Sequence, residues 1–306
     1  MGKTALLDPP PTASPVAPLA DRRSGPRTPL AVLGVAAVVW AYWPVLTQMA
    51  DRWANDPQLS HGWIIPLIAA YLLWDRRARL AGRPPAPANW GLSIAVVGFA
   101  VWAAGAVFFF PWFEAISLPV TLLGLVACWG GRNGVRWAWP AVAFLLFMAP
   151  LPYQLQMALG GRLQRLGTTA TTFGLQTLGI PAVPEGNVVV LENGARLGVI
   201  EACSGLGMML TFFALTTAAA LLVRMETWKR VVVVLSAPAI AVAVNVLRLL
   251  ATGVFADRTP DKAAMVVIHD AAGWVMMPVA AGLIALEIWV LNRLIVARPA
   301  AGPLGV

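Results

Sequence analysis

Long apolar runs recur along this chain from residue 30 onward, separated by short clusters of arginine, proline and glycine. Crossing a bilayer takes about 20 apolar residues. Eight segments are read as spans: Leu30–Met49, Ser60–Trp74, Trp90–Phe110, Phe113–Trp129, Trp137–Leu155, Cys203–Val223, Val231–Phe255 and His269–Ile295. The runs are continuous rather than alternating, which predicts helices and argues against a β-barrel. The second is the weakest, covering only about 22 Å at the helical rise. The expected fold class is therefore an all-α polytopic membrane protein of about eight transmembrane helices.

The basic residues give those helices a direction. With the N-terminus in the cytoplasm, 15 of the 22 Lys and Arg fall in cytoplasmic segments, among them Arg76, Arg77, Arg79 and Arg83. Six fall outside, and Arg248 lies within a span. This is the bias of the positive-inside rule, and both termini are then cytoplasmic. Omitting the second span would move its arginine cluster outside, so the charges argue for keeping it.

One outer connection is long, from about Gln156 to Ala202. Leu155, Leu159, Leu163, Leu166, Ala170 and Phe173 recur at helical spacing, with Arg162 and Arg165 off that stripe, which predicts an amphipathic helix on the membrane surface. Asn187–Leu191 and Ala195–Glu201 flank Glu192-Asn193-Gly194, the pattern of a β-hairpin. The hairpin would lead the chain directly into Cys203.

Composition agrees with a membrane protein: 59% hydrophobic, 12% charged and a mean hydropathy of +0.73. The net charge of +8 is accounted for by helix orientation and implies no nucleic acid. Two cysteines are too few for a disulfide framework. Residues 1–29, rich in Pro, Ala and Arg, read as a disordered cytoplasmic tail without the layout of a cleavable signal peptide. Residues 30–296 form the membrane-embedded domain and 297–306 a second cytoplasmic tail.

The chemistry-bearing residues collect at outer span ends. Cys203, in Glu201-Ala202-Cys203-Ser204-Gly205, opens the sixth span. Unpaired amides and the helix dipole there favour the thiolate, the nucleophilic form, and Gly205 leaves room for a substrate backbone. Composition alone leaves a buried, inert thiol equally open. Cys128, near the inner end of the fourth span, reads as packing, too distant from Cys203 for a disulfide.

Arg248 lies about 10 Å deep in the seventh span, where a guanidinium is costly and normally faces the bundle or water. Asn245 shares its helix face. The alternative is an arginine that snorkels to the interface. The two histidines, His61 in Ser60-His61-Gly62 and His269 in His269-Asp270-Ala271-Ala272-Gly273, open the second and eighth spans. Either could relay a proton, and Asp270 could cap its helix or orient an imidazole. No paired ligand motif points to a metal, and no cofactor motif is evident.

These motifs, in this order, resemble those of the exosortase/archaeosortase family. Ser60-His61-Gly62 followed by an apolar run and Asp75-Arg76-Arg77 is similar to the exosortase N-terminal signature. Glu201-Ala202-Cys203-Ser204-Gly205, Asn245-x-x-Arg248 and His269-x-x-x-Gly273 resemble the three core motifs. The likeness covers roughly residues 40 to 295. It implies a membrane cysteine peptidase or transpeptidase of the bacterial inner membrane, with an extracytoplasmic active site. Its partners would be exported proteins with a C-terminal sorting signal (a Pro-Glu-Pro motif, a membrane helix and a basic tail) and an unknown envelope acceptor. By the same resemblance Cys203 is the nucleophile, Arg248 stabilises charge and His269 is the acid and base. Glu201, Ser204, Gly205, Asn245, Gly273 and His61 are supporting residues, His61 without a defined role. Two other readings remain: a polymer or lipid transporter using Arg248 and the histidines for substrate, and a non-catalytic assembly factor.

Overall fold

The computed structural model describes residues 27–80, 86–198, 206–259 and 262–294. Helices dominate: α1 (Arg27–Ala41), α2 (Trp43–Asn55), α3 (Ile64–Asp75), α4 (Trp90–Val107), α5 (Pro111–Phe144), α6 (Tyr153–Thr177), α7 (Leu206–Leu222), α8 (Thr227–Arg258) and α9 (Lys262–Leu294). Four described helical stretches are long and apolar enough to cross a membrane, or five if the bent pair α1–α2 counts as one. The protein is thus an all-α membrane protein, with one small sheet between α6 and α7. Most of the expected tails, 1–26 and 295–306, lie outside the described residues.

The first expected span is bent by 62° between Leu33–Ala41 and Trp43–Asn55. Tyr42 sits at the bend, and its hydroxyl lies 2.9 Å from both Ser117 Oγ and Thr121 Oγ1 of α5, which ties the bend to the core. The second expected span is in part a 3-10 segment, Pro57–Trp63, so only Ile64–Asp75 is α-helical.

The fourth expected span and the first part of the fifth appear as one element, α5, interrupted at Gly131 with φ 54° and ψ −142°; the fifth goes on only as a 3-10 turn, Leu145–Met148, and stops short of Leu155. That conformation suits glycine. A Cβ on Gly134 would lie 3.0 Å from Val126 O, although residues eight apart in a straight helix are about 12 Å apart. The chain therefore folds back on itself at Gly131. The fold-back also explains why Ala115 and Leu118 share a core cluster with Ala141, Phe144 and Met148.

The N-terminal half of α5 packs on α4 through missing side chains. A Cβ on Gly91 would overlap the Cys128 backbone, one on Gly98 would overlap Thr121, and one on Gly124 would overlap Ala95. Cys128 is half-buried at this contact, in keeping with a packing role. On the other side of the fold-back, Arg76 Nε donates to Trp137 O at 3.2 Å and Trp137 Nε1 donates to Leu73 O at 3.0 Å, fastening α3 to α5. Burial, with Arg79 nearby, lowers the Arg76 pKa from its ordinary value.

The helices α4 and α6 end on the same motif with different residues. Ile180 N–H donates to Leu175 O across Gly179 at φ 82°, and Phe110 N–H donates to Gly105 O across Phe109 at φ 52°. Glycine takes the left-handed cap freely, whereas phenylalanine there costs about 1–3 kcal/mol. The strained turn holds Phe110 edge-to-face with Trp112 and Phe113, which are tilted to each other.

The expected amphipathic helix is present as α6, but its core-facing side is not the leucine stripe. Gly160, Gln164, Gly167, Thr168, Thr171, Thr172 and Leu175 are buried, while Leu155, Leu166 and Phe173 are exposed. Small and hydroxylated residues allow close packing within the fold, leaving the leucines to an apolar exterior. The expected hairpin is also present, as β2 (Val188–Leu191) and β3 (Arg196–Gly198), joined antiparallel. A third strand, β1 (Ala182–Glu185), pairs with β2 on its other edge.

Because Gly124 abuts the Ala95 backbone, Gly124→Ala should destabilise the protein by about 1–3 kcal/mol through overpacking. Gly282→Ala, where a Cβ meets open space, should be neutral. Thermal unfolding of the detergent-solubilised variants measures this, and equal midpoints would refute the close α4–α5 contact.

Candidate active site

The register of α7, α8 and α9 brings the motif-bearing segments to one end of the bundle. Phe212 of α7, Val244 of α8 and Ala280 of α9 share one buried cluster, with Met208 and Met276 packed against it. One turn beyond Val244 is Arg248, and one turn before Met276 is Gly273. A Cβ on Gly273 would lie 3.7 Å from Arg248 Cζ and Nη2, so the guanidinium lies over the bare glycine backbone. Arg248 is 9% exposed and Asn245 3%. The arginine therefore turns into the protein rather than snorkelling outward. Thr252 Oγ1 donates to Arg248 O at 2.9 Å, on the next turn of the same buried face.

His269 belongs to α9, one turn before Gly273, but not at the helix start. The helix begins at Lys262, so both His269 and Asp270 stand inside it and Asp270 is not its cap. Residues 263–268 ahead of His269 are themselves apolar, and the helix already includes them. The side chains of His269 and Asp270 lie outside the described residues.

His61 reaches the same end by another route. Its 3-10 segment sits so tightly against α2 that a Cβ on Gly62 would overlap the Trp53 indole. Trp53 in turn meets Trp63 edge-on, with centroids 5.3 Å apart. This packing sets the His61 ring with Nδ1 3.2 Å from Thr211 Oγ1 of α7. The Thr211 hydroxyl donates its single proton to Gly207 O at 2.9 Å.

Glu201, Ala202, Cys203, Ser204 and Gly205 lie outside the described residues. The segments on either side of them are fixed. Leu175, Val189, Leu191, Leu197 and Ala256 form one buried cluster joining α6, the sheet and α8. Asn193, in the hairpin turn, donates from Nδ2 to Ala256 O at 3.0 Å and to Asp257 O at 3.3 Å, covering carbonyls at the C-terminal end of α8. The hairpin turn thus sits at the α8 terminus, the described part of β3 runs to Gly198, and α7 is described from Leu206.

Beside the start of α7 is a cleft of about 480 Å³. Gly207 and Leu210 of α7 contribute to it, as do Arg52 of α2 and Asp56 at its C-cap. The strained turn after α4 brings Phe110 and Trp112, and the Pro150–Gln156 connection brings Tyr153. Sequence reasoning missed Arg52, Asp56, Phe110, Trp112 and Tyr153, because they come from separate segments and no spacing links them. The available signals were the Phe108–Phe113 aromatic run and the Pro150-Leu151-Pro152 break, both at expected outer span ends. Away from this end, Ser236 Oγ of α8 donates to Glu287 Oε2 of α9 at 2.7 Å.

Comparison with known proteins gives a family. No curated protein and no solved structure matches the chain. The description "Transmembrane exosortase (Exosortase_EpsH)" matches residues 53–286, about three quarters of the chain. That span runs from Trp53, against Gly62, to the last turns of α9, and includes His61, Cys203, Arg248, His269 and Gly273. The chain belongs to the transmembrane exosortase family.

Proposed function

We propose that this membrane protein is a cysteine peptidase and transpeptidase that cleaves PEP-CTERM-like C-terminal sorting signals of exported proteins. It works at the outer face of the bacterial inner membrane and passes the new C-terminus to an envelope acceptor. In this reading the protein has eight spans and both termini in the cytoplasm, as the charge bias suggests. The observation that carries it is the buried Arg248 guanidinium lying against Gly273, which joins two of the three core motifs across separate helices. The third motif adjoins α7 in the chain, Cys203 being three residues before Leu206.

In the proposed reaction His269 takes the Cys203 proton, and the thiolate attacks the scissile carbonyl. Arg248 stabilises the oxyanion that forms. His269 then returns its proton to the leaving amine as the peptide bond breaks, leaving a thioester on Cys203 and releasing the membrane-anchor fragment. An amine or hydroxyl of the acceptor attacks the thioester, gives its proton to His269, and restores the thiol. His61, next to the start of α7 through Thr211, positions that segment.

Two outcomes test this. An exported reporter with a C-terminal sorting signal and tag should lose the tag in cells carrying the wild-type protein and keep it with Cys203→Ala. Equal processing by both would reject the thiol mechanism and favour a transporter or assembly role. In the same assay Arg248→Lys should slow processing about 10²–10³-fold, the usual effect of losing an oxyanion donor. Gly273→Ala should process nearly normally, because a Cβ makes an ordinary 3.7 Å contact, whereas Gly273→Leu should match Arg248→Lys by displacing the guanidinium. A Gly273→Leu variant as active as wild type would contradict this placement of Arg248.

A further inference from the structure

The cleft beside the start of α7 has a composition that thiol chemistry alone does not require. One wall is Phe110 and Trp112, with Phe113 packed behind them and ring centroids 4.9 to 6.5 Å apart. It is built on the left-handed Phe109 turn, so its rings are fixed before any ligand arrives. Tyr153, largely exposed, stands on the Pro152 side of the cleft. Aromatic grooves of this kind take extended, proline-bearing chains, which lose little entropy on binding. A volume of about 480 Å³ falls among pockets that enclose a small ligand, and is too small for a folded element.

The charges in the cleft select further. Arg52, half-buried in the last turn of α2, offers a planar fork of donors suited to a carboxylate. Complementing the helix dipole would explain a basic residue at that position, but not its place in the lining of the cleft. Asp56 follows one turn later. Its negative charge would repel a second acid. The pair therefore fits a segment with one carboxylate set among apolar residues.

We infer that this cleft binds the extended segment of the substrate next to the cleaved bond, and that Arg52 is the specificity-determining residue that pairs with a carboxylate side chain there. The inference rests on the peptidase reading above, because the cleft reaches Gly207 at the start of α7, just after Cys203 in the chain.

The test uses the full-length Cys203→Ala protein in lipid nanodiscs, so that binding is measured without turnover. Fluorescent peptides centred on Pro-Glu-Pro, Pro-Gln-Pro and Pro-Lys-Pro are titrated. The Glu peptide should bind about tenfold or more tighter than the Gln peptide, as expected for a charge-assisted contact. Added Arg52→Gln should erase that preference while leaving Gln-peptide binding intact, which also shows that the variant is folded. Added Arg52→Glu should reverse the preference toward the Lys peptide. Trp112→Ala should weaken all three peptides alike. Persistence of the Glu preference in Arg52→Gln, preference of the unmodified cleft for the Lys peptide, or binding of none of the peptides would each overturn the inference. Reporter cleavage is scored separately. Cys203-dependent cleavage without a Glu preference rejects the cleft assignment alone, and a Glu preference without cleavage rejects the peptidase reading alone.

Discussion

An arginine side chain enclosed in an apolar helix bundle is unstable unless the fold replaces the water it has lost. Arg248 is such a residue, and its neighbourhood is arranged around it. Gly273 supplies a surface with no side chain, Asn245 adds a polar group on the same face, and α7, α8 and α9 must keep their mutual register for the three to meet. Shifting one of these helices by a turn would set a side chain where Gly273 now leaves room. The register therefore fixes which residues of α7 and α9 stand beside the guanidinium.

Other parts of the fold hold that end of the bundle in place. The sheet docks on α6 and α8, and Asn193 covers the last α8 carbonyls, so the chain leaving β3 starts from a fixed point. On the opposite side, the contact of Gly62 with Trp53 presses the His61 segment onto α7. The α4–α5 pair, closely packed through glycines, supplies the turn that forms one wall of the cleft.

Much of the fold was legible because hydropathy is a direct record of the lipid environment. The apolar runs at Trp90, Val231 and Phe113 correspond to α4, α8 and the first half of α5. The fold-back at Gly131 was visible as the gap between two apolar runs. The start of α9 was not: the apolar residues 263–268 already belong to the helix, and the polar pair His269-Asp270 inside it was read as the helix start. The leucine stripe of α6 was read correctly as periodicity, but the face that packs within the fold is the glycine and threonine face. Strand β1 was missed because Pro184 argues against a strand, and it is tolerated there because β1 is an edge. The motif residues Arg248 and Gly273 lie on separate helices, and the helix register brings them together. The cleft residues Arg52, Phe110 and Tyr153 meet only in three dimensions, and Cys203 itself lies outside the described residues.

The central claim is that Cys203 carries the acyl group during the reaction. Incubating the purified protein with a sorting-signal peptide, without acceptor amine, followed by rapid acid quench and mass spectrometry of the Cys203-containing fragment, tests it directly. The account predicts an adduct with the mass of the substrate's N-terminal portion, attached at Cys203 and released by hydroxylamine. Cleavage of the peptide with Cys203 left unmodified under the same quench would contradict it.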